Sequence, residues 1–215
     1  MVKNSTTTQL IAKEGWKYLF FTTVLFLFSL CFDIFPWVFL AISIFTAYLF
    51  RNPERLPLED DDFAILAPCD GSITSISKTK HIDGKEYIKI EIQKSLLGAS
   101  LLRAPTKMVI KSTRKRHGLF LPSGSLLNKK LAEKVSLVCD SSFGEIFINI
   151  NAGVYAREIE FFKTVGPLKS SQRFGLLVEG DLELYLPLDS RIKVALKDEV
   201  RAGESVLGYF AHKGT

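Results

Sequence analysis

Two patterns of apolar residues divide the chain. Between Lys17 and Arg51 lie 33 residues whose only formal charge is Asp33. From residue 51 onward the apolar runs are short, alternate with polar residues and are punctuated by Gly, Pro, Asp and Ser. The first pattern predicts membrane helices and the second a β-rich domain.

One helix crosses the hydrocarbon with about 20 residues, so the apolar run is too long for a single span, and Asp33 with Pro36 marks a break near its centre. The expectation is a hairpin of two short helices over residues 16–50, behind a polar lead at 1–15. Lys3, Lys13 and Lys17 precede the run and Arg51 and Arg55 follow it. Positive charge at both ends places both on the cytoplasmic side, which puts a domain of residues 51–215 on the cytoplasmic face of the inner membrane. Trp16, Tyr18, Trp37 and Tyr48 lie near the ends or the break, where amphipathic aromatics settle at headgroup level. A secretory signal peptide is the alternative, but its apolar core is about 7–15 residues long and leads into a small-residue cleavage site. Here Arg51-Asn52-Pro53-Glu54-Arg55 follows directly. The pattern alone leaves open whether the run crosses the bilayer or sits in one leaflet.

In the second part, residues 73–76, 87–92, 145–150 and 182–186 alternate at period two, each reading as a half-buried strand. The stretch His81 to Lys85 contains Asp83-Gly84 between two of these runs, a strong hairpin signal. Only Leu126 to Val135 reads as a helix. Residues 165–175 and 197–207 look like two copies of one turn-then-strand unit. Such units resemble halves of a lipoyl- or biotinyl-type β-sandwich, although no Met-Lys-Met or Asp-Lys-Ala sequence is present to carry either cofactor. The fold class is therefore mainly β (α+β): an N-terminal transmembrane helical hairpin followed by one β-rich, sandwich-like domain.

Composition narrows the chemistry. Cys31, Cys69 and Cys139 are few, odd in number and far apart, which excludes a disulfide framework or a CxxC metal or redox site. No HExxH, Walker or GxGxxG pattern occurs, so metal-dependent and nucleotide-dependent enzymes have no support. A net charge of +5 suits an anionic partner. Lys107, Lys111, Arg114, Lys115, Arg116 and His117 crowd one stretch, and in an anchored protein the simplest anion opposite them is a lipid surface; a solvated basic loop is the alternative. Nucleic acid is not expected, since neither interleaved aromatics nor a known module is present.

The phrases Phe50 to Arg55, Ala67 to Gly71, Arg103 to Pro105, Ile150 to Gly153, Gln172 to Gly175 and Val200 to Leu207 occur in this order, and the series resembles the short, membrane-anchored phosphatidylserine decarboxylases of bacteria and archaea. Phe50-Arg51-Asn52-Pro53-Glu54-Arg55 with Pro57 is similar to the phrase that follows the family's anchor. Ala67-Pro68-Cys69-Asp70-Gly71 is similar to its SPADG, and Arg103-Ala104-Pro105 to the end of its SPLDVHVNRAP. Ile150-Asn151-Ala152-Gly153 with Ala156-Arg157, Gln172-Arg173-Phe174-Gly175 with Tyr185-Leu186-Pro187, and Val200 to Leu207 complete the series in register. The resemblance implies a lyase that removes CO2 from phosphatidylserine to give phosphatidylethanolamine. It also implies a pyruvoyl group made from a Ser of the chain itself, which serves as electron sink, with a base for self-cleavage, typically His held by a carboxylate.

The chain departs from the family at these very points. The family's Gly-Ser junction becomes Gly180-Asp181 in a segment one residue shorter, and no serine occurs between Ser171 and Ser190. The Asp, His and Asn of LDVHVNRAP are replaced by Gly98, Ser100 and Leu102. Asp70 and Gly180 remain as vestiges of the catalytic positions, Asp70 also fitting a satisfied turn carboxylate. Gly71-Ser72 and Gly124-Ser125 lie away from the processing position, and His81, His117 and His212 are scattered. The expectation is a decarboxylase-related pseudoenzyme with no cofactor and no metal. It would bind an anionic or amino phospholipid through Arg103, Arg157, Lys111, Arg114, Lys115 and Arg116, or regulate the pathway. Self-association and assembly with other phospholipid-synthesis proteins both remain open, as does an active decarboxylase with an unrecognised pyruvoyl site. A membrane-anchored adaptor is the third class.

Overall fold

A computed structural model describes residues 11–12, 15–53, 55, 61–81, 84–156 and 159–211. The chain divides into two compact units, residues 1–54 and 55–215. The first is a helical hairpin: α1 (Gly15–Phe32) and α2 (Pro36–Leu49) pack against each other. Asp33 and Phe35 both take positive φ (51° and 44°), and Pro36 opens α2, where its fixed φ and missing N–H cost nothing. The break expected at Asp33 and Pro36 is thus made by two left-handed residues and a proline. Ser29 and Ser43 are buried, each returning its hydroxyl to a carbonyl of its own helix. Phe20, Phe28, Phe32, Trp37 and Ile44 are among the side chains left exposed. By length and composition α1 suffices to cross a membrane, whereas α2 at 14 residues is shorter.

The second unit is mainly β. Its strands run β1 (Ala64–Leu66), β2 (Gly71–Lys80), β3 (Glu86–Lys94), β4 (Leu101–Arg103) and β5 (Met108–Arg116), followed by helix α3 (Leu126–Leu131). They continue as β6 (Lys134–Ser141), β7 (Gly144–Ala152), β8 (Glu160–Phe161), β9 (Gly166–Leu168), β10 (Arg173–Leu176), β11 (Gly180–Pro187), β12 (Arg191–Ile192), β13 (Glu199–Val200) and β14 (Val206–Tyr209). Eight form one sheet in the order β13-β2-β3-β11-β7-β6-β5-β9, and two three-stranded sheets are ordered β1-β14-β12 and β4-β10-β8. All three sheets contribute to one hydrophobic core.

The period-two runs form strands for the expected reason. Ile88, Ile90 and Ile92 of β3 lie in register with Leu186, Leu184 and Leu182 of β11, and the last two pair onward with Ile148 and Ile150 of β7. Their alternate neighbours carry the opposite face, where Glu183 lies 3.0 Å from Lys89 and 3.8 Å from Lys134 and accepts from Asn149 and Tyr185. Burial pushes the Glu183 carboxyl up, but the two ammonium groups outweigh it and hold the group below its ordinary range.

The repeated turn-then-strand unit has a structural counterpart. Its first copy ends in β10 and its second in β14, each the middle strand of a three-stranded sheet. Their partners cross reciprocally: the Leu66 N–H donates to the Pro105 carbonyl (2.7 Å) and the Arg103 N–H to the Pro68 carbonyl (2.9 Å). Residues 66–68 and 103–105, which contain the two Ala-Pro phrases, are thus joined by one backbone hydrogen bond in each direction.

Two expectations need correction. The soluble helix stops at Leu131, because Ala132 is extended and Val135 is taken by the sheet, in register with Ile150. The basic stretch is not a loop: Lys111 to Arg116 form the outer half of β5, paired with β6. The hairpin between β2 and β3 closes through His81 and Gly84 (φ 81°), while Ile82 and Asp83 lie outside the described residues.

Candidate functional site

Strand register brings Asp70 and Gly180, both singled out by the sequence, to one end of the large sheet. Lys94, the last residue of β3, pairs with Gly71 on one side and Gly180 on the other. With strands spaced about 4.8 Å apart, Gly71 and Gly180 are about 10 Å from each other. Asp70 immediately precedes this row, and its carbonyl accepts from Ser95.

The Asp70 carboxylate is fully occupied by its own chain. Arg55 grips both oxygens, with Nη2 2.8 Å from Oδ2, and the Ala99 and Ala202 N–H groups donate at 2.7 and 2.8 Å. Burial pushes the carboxyl up, but the Arg55 hydrogen bonds and the two backbone donors outweigh it and hold it below the usual carboxylate range. Asp70 thus clamps residues 55, 99 and 202 together over long range rather than capping its own turn. A Cβ at Gly98 would lie 2.5 Å from the Asp70 Cβ. The substitution of the family's Asp by glycine at this point therefore leaves room for the clamp.

A second guanidinium, Arg103, also feels the Asp70 carboxylate, and Arg173 lies beside Arg103. Arg103 pairs in register with Arg173 across β4 and β10, and its Nη1 donates to the Ser171 carbonyl at 3.1 Å. Burial first, then repulsion from Arg173 and Arg55, lowers its pKa to about 10 despite the pull of Asp70. It remains charged at neutral pH beside two like charges. Ser100, at the position of the family's His, is buried, and its carbonyl accepts from Leu177.

Asp181, not a hydroxyl residue, follows Gly180, where the family resemblance implies processing. The Asp181 carboxylate is buried and accepts the Gly124 N–H at 2.8 Å. Glu179 takes the Ser123 hydroxyl on one oxygen and the Tyr155 N–H (3.0 Å) on the other, so residues 122–125 and 153–155 both fold onto this strand end. Asn151 pairs in register with Asp181 and is fully buried, and among the described residues neither of its carboxamide atoms has a hydrogen-bond partner. Lys94 is buried, with its ammonium on the Ser95 carbonyl. Burial pushes the Cys69 thiol up to about 12, with Lys94 acting in the opposite sense, so it is not a reactive thiolate.

The other residues singled out by sequence lie elsewhere. His81 stacks on Phe147 in the hairpin turn, at the far end of β3 from Lys94, about 25 Å along the strand. His117 is exposed, 3.7 Å from Glu133. His212 and Arg157 lie outside the described residues. On β5, Lys111 sits 3.0 Å from Asp140 and 3.8 Å from Glu145, and Lys115 lies 3.5 Å from Glu133. Arg116 donates to the Lys130 and Ala132 carbonyls, and Arg114 is exposed. Asp140, Glu145 and Glu133 thus largely neutralise the lysines and leave the arginines as the available positive charge. Among the described residues no group of three or more His, Cys, Asp or Glu could hold a metal ion.

Sequence reasoning missed Arg55 as the partner of Asp70, as well as Asn151 and the Glu179–Ser123 pair. Arg55 was visible as part of the phrase after the apolar run, but its partner depends on tertiary structure.

Phrases from separate parts of the β unit thus meet at one end of the large sheet. The profile of the phosphatidylserine decarboxylase family matches residues 42–208. The phosphatidylserine decarboxylase proenzyme of Desulfotalea psychrophila is 33% identical over 207 residues, covering 92% of this chain and 95% of that protein. Those of Geotalea uraniireducens and Burkholderia ambifaria are 30% and 28% identical with the same coverage. The chain belongs to the phosphatidylserine decarboxylase family.

Proposed function

We propose that this protein works in phospholipid metabolism at a membrane as a family member that does not process itself and that binds an aminophospholipid or regulates the pathway. The observation that carries this reading is the Gly180–Asp181 junction: the residue after the glycine offers a carboxylate already bonded to Gly124, and no serine lies between Ser171 and Ser190. A pyruvoyl group forms only from a hydroxyl residue, so the side chains at this junction do not fit one. Ser100 replaces the basic residue of the same machinery, and parts that act as a unit do not substitute for one another.

Arg103, with Arg173 beside it, suits the phosphate of a lipid headgroup, since guanidiniums bind phosphate by paired, charge-assisted hydrogen bonds. The unpaired Asn151 carboxamide beside Asp181 offers both a donor and an acceptor to a polar headgroup. The apolar hairpin of α1 and α2 would supply the membrane attachment, with the β unit on the cytoplasmic side as the flanking charges suggest. The names of the relatives equally fit a decarboxylase whose pyruvoyl arises from another position, and cleavage of the chain would favour that reading.

Lipid occupancy tests the binding. In native mass spectrometry of the detergent-solubilised chain, Arg103→Ala should reduce bound short-chain phosphatidylserine by at least tenfold, because a hydrogen bond to a charged group contributes about 1.5–3 kcal/mol. Unchanged occupancy in a variant that still unfolds cooperatively would remove Arg103 from the site.

A further inference from the structure

The β unit exposes apolar side chains around α3 in a pattern that scattered surface hydrophobes do not produce. Leu127 (62% exposed) and Leu131 (50%) stand one turn apart on α3, hence on one face. Leu119 and Phe120 are exposed beside them, held by the Leu119 N–H to the Leu131 carbonyl at 2.8 Å. Tyr155 (64% exposed) joins the patch from the next loop, because its N–H and the Ser123 hydroxyl share the Glu179 carboxylate, and Ser125, two residues after Ser123, caps α3. Cations border the patch: Arg114, Lys130 and Arg116 are exposed, and Arg116 closes the end of α3 through the Lys130 and Ala132 carbonyls.

We propose that this face, formed by α3, residues 119–120 and Tyr155, is a docking surface for an anionic lipid bilayer, separate from the apolar hairpin. Its apolar residues would dip below the headgroups, and Arg114, Arg116 and Lys130 would lie against anionic lipid. This division of labour characterises interfacial membrane segments. A bilayer is favoured over a protein partner on two grounds. The border of the patch is cationic, complementing an anionic surface, and the same chain carries two helices with exposed apolar side chains that a bilayer would cover. Once they are inserted, docking of the attached β unit becomes an intramolecular step at high effective concentration. Docking would also bring the Gly180–Asp181 strand end, tied to this face through Glu179, to the lipid surface. The proposal goes beyond the reading of the processing site and holds whether or not the chain cleaves.

The test uses the full chain in nanodiscs, with Cys31→Ser to remove the exposed thiol; Cys69 and Cys139 are buried. Leu127→Cys carries an environment-sensitive fluorophore, and Leu196→Cys, exposed next to β13 at the opposite edge of the large sheet, is the control. In discs containing phosphatidylglycerol, a shallow spin-labelled lipid should quench the Leu127 probe at least threefold more than the Leu196 probe. Arg114→Glu with Lys130→Glu, both exposed, should reduce that difference by at least half. Equal quenching at the two positions would overturn the proposal. So would shielding of Leu127 from aqueous quencher without quenching by lipid, which would indicate a second copy or another protein on this face. Either failure would leave the mass of the chain and its lipid occupancy unaffected, so the two readings fail separately.

Discussion

Replacing Arg55 with alanine should destabilise the β unit by about 3–5 kcal/mol, the usual cost of removing one partner of a buried ion pair. Both side chains are only 9% exposed, so the variant leaves the Asp70 carboxylate buried with its two backbone donors and no countercharge. The pair also joins residue 55 to the loops carrying Ala99 and Ala202, so its loss loosens three segments at once. Equilibrium unfolding in detergent measures the effect, and adding Asp70→Asn to Arg55→Ala should restore part of the stability by removing the stranded charge. The pH dependence has a definite sign. The folded-state pKa of Asp70 lies below its unfolded value, so its contribution is complete above about pH 4 and is lost as pH falls through the lower folded value. Burial without Arg55 favours the protonated acid, and protonation removes the stranded charge, so the stability gap between Arg55→Ala and the unmutated chain should narrow as pH falls through the acid range. Equal stability of the two proteins at neutral pH would show that the clamp contributes little.

Gly180→Ala is the second large effect. A Cβ at this position would fall on the Asn151 carbonyl oxygen and come within 3.3 Å of the Gly153 nitrogen. Both obstacles are backbone, held in register by β7 and by the Gly153 N–H bond to Glu179, so neither can swing aside as a side chain would. The expected cost is at least the upper part of the ~1–3 kcal/mol typical of overpacking, read as a fall in the denaturation midpoint with an unchanged slope. The glycine is thus required by close strand approach whether or not a cleavage follows it. Gly84→Ala provides the contrast: among the described residues nothing beyond its chain neighbours lies within 4 Å of its Cβ, and its φ of 81° is what opposes the change. A Gly180→Ala chain as stable as the unmutated protein would refute the packing argument.

The sequence made the architecture legible where burial imposes a period. Residues 87–92, 145–150 and 182–186 alternate because one face meets the core and the other meets Glu183, Lys89 and their neighbours. The break at Asp33 and Pro36 was equally plain, since proline at the start of a helix and a charge within an apolar run are local signals. Two features were hidden. The outer half of β5 carries Lys111, Arg114, Lys115 and Arg116, whose polar character masks a strand that extends past the core. The end of α3 is fixed by the pairing of Val135 with Ile150, a long-range competition that no local propensity reports. For the candidate site, the losses at Asp181 and Ser100 could be read residue by residue against the family. The approach of Asp70 to Gly180 could not, because it depends on the registers of β2 and β11 with Lys94. The partnership of Arg55 with Asp70 and the unpaired Asn151 arise from tertiary packing and leave no sequence pattern.

Whether the chain stays whole is read from the intact mass of the purified, detergent-solubilised protein, with and without a carbonyl-trapping reductant. One species at the full 24.2 kDa, its mass unchanged by the reductant, is the expected result. Two fragments, the C-terminal one carrying a reducible ketone, would contradict it, and their masses would identify the residue that supplied the pyruvoyl group.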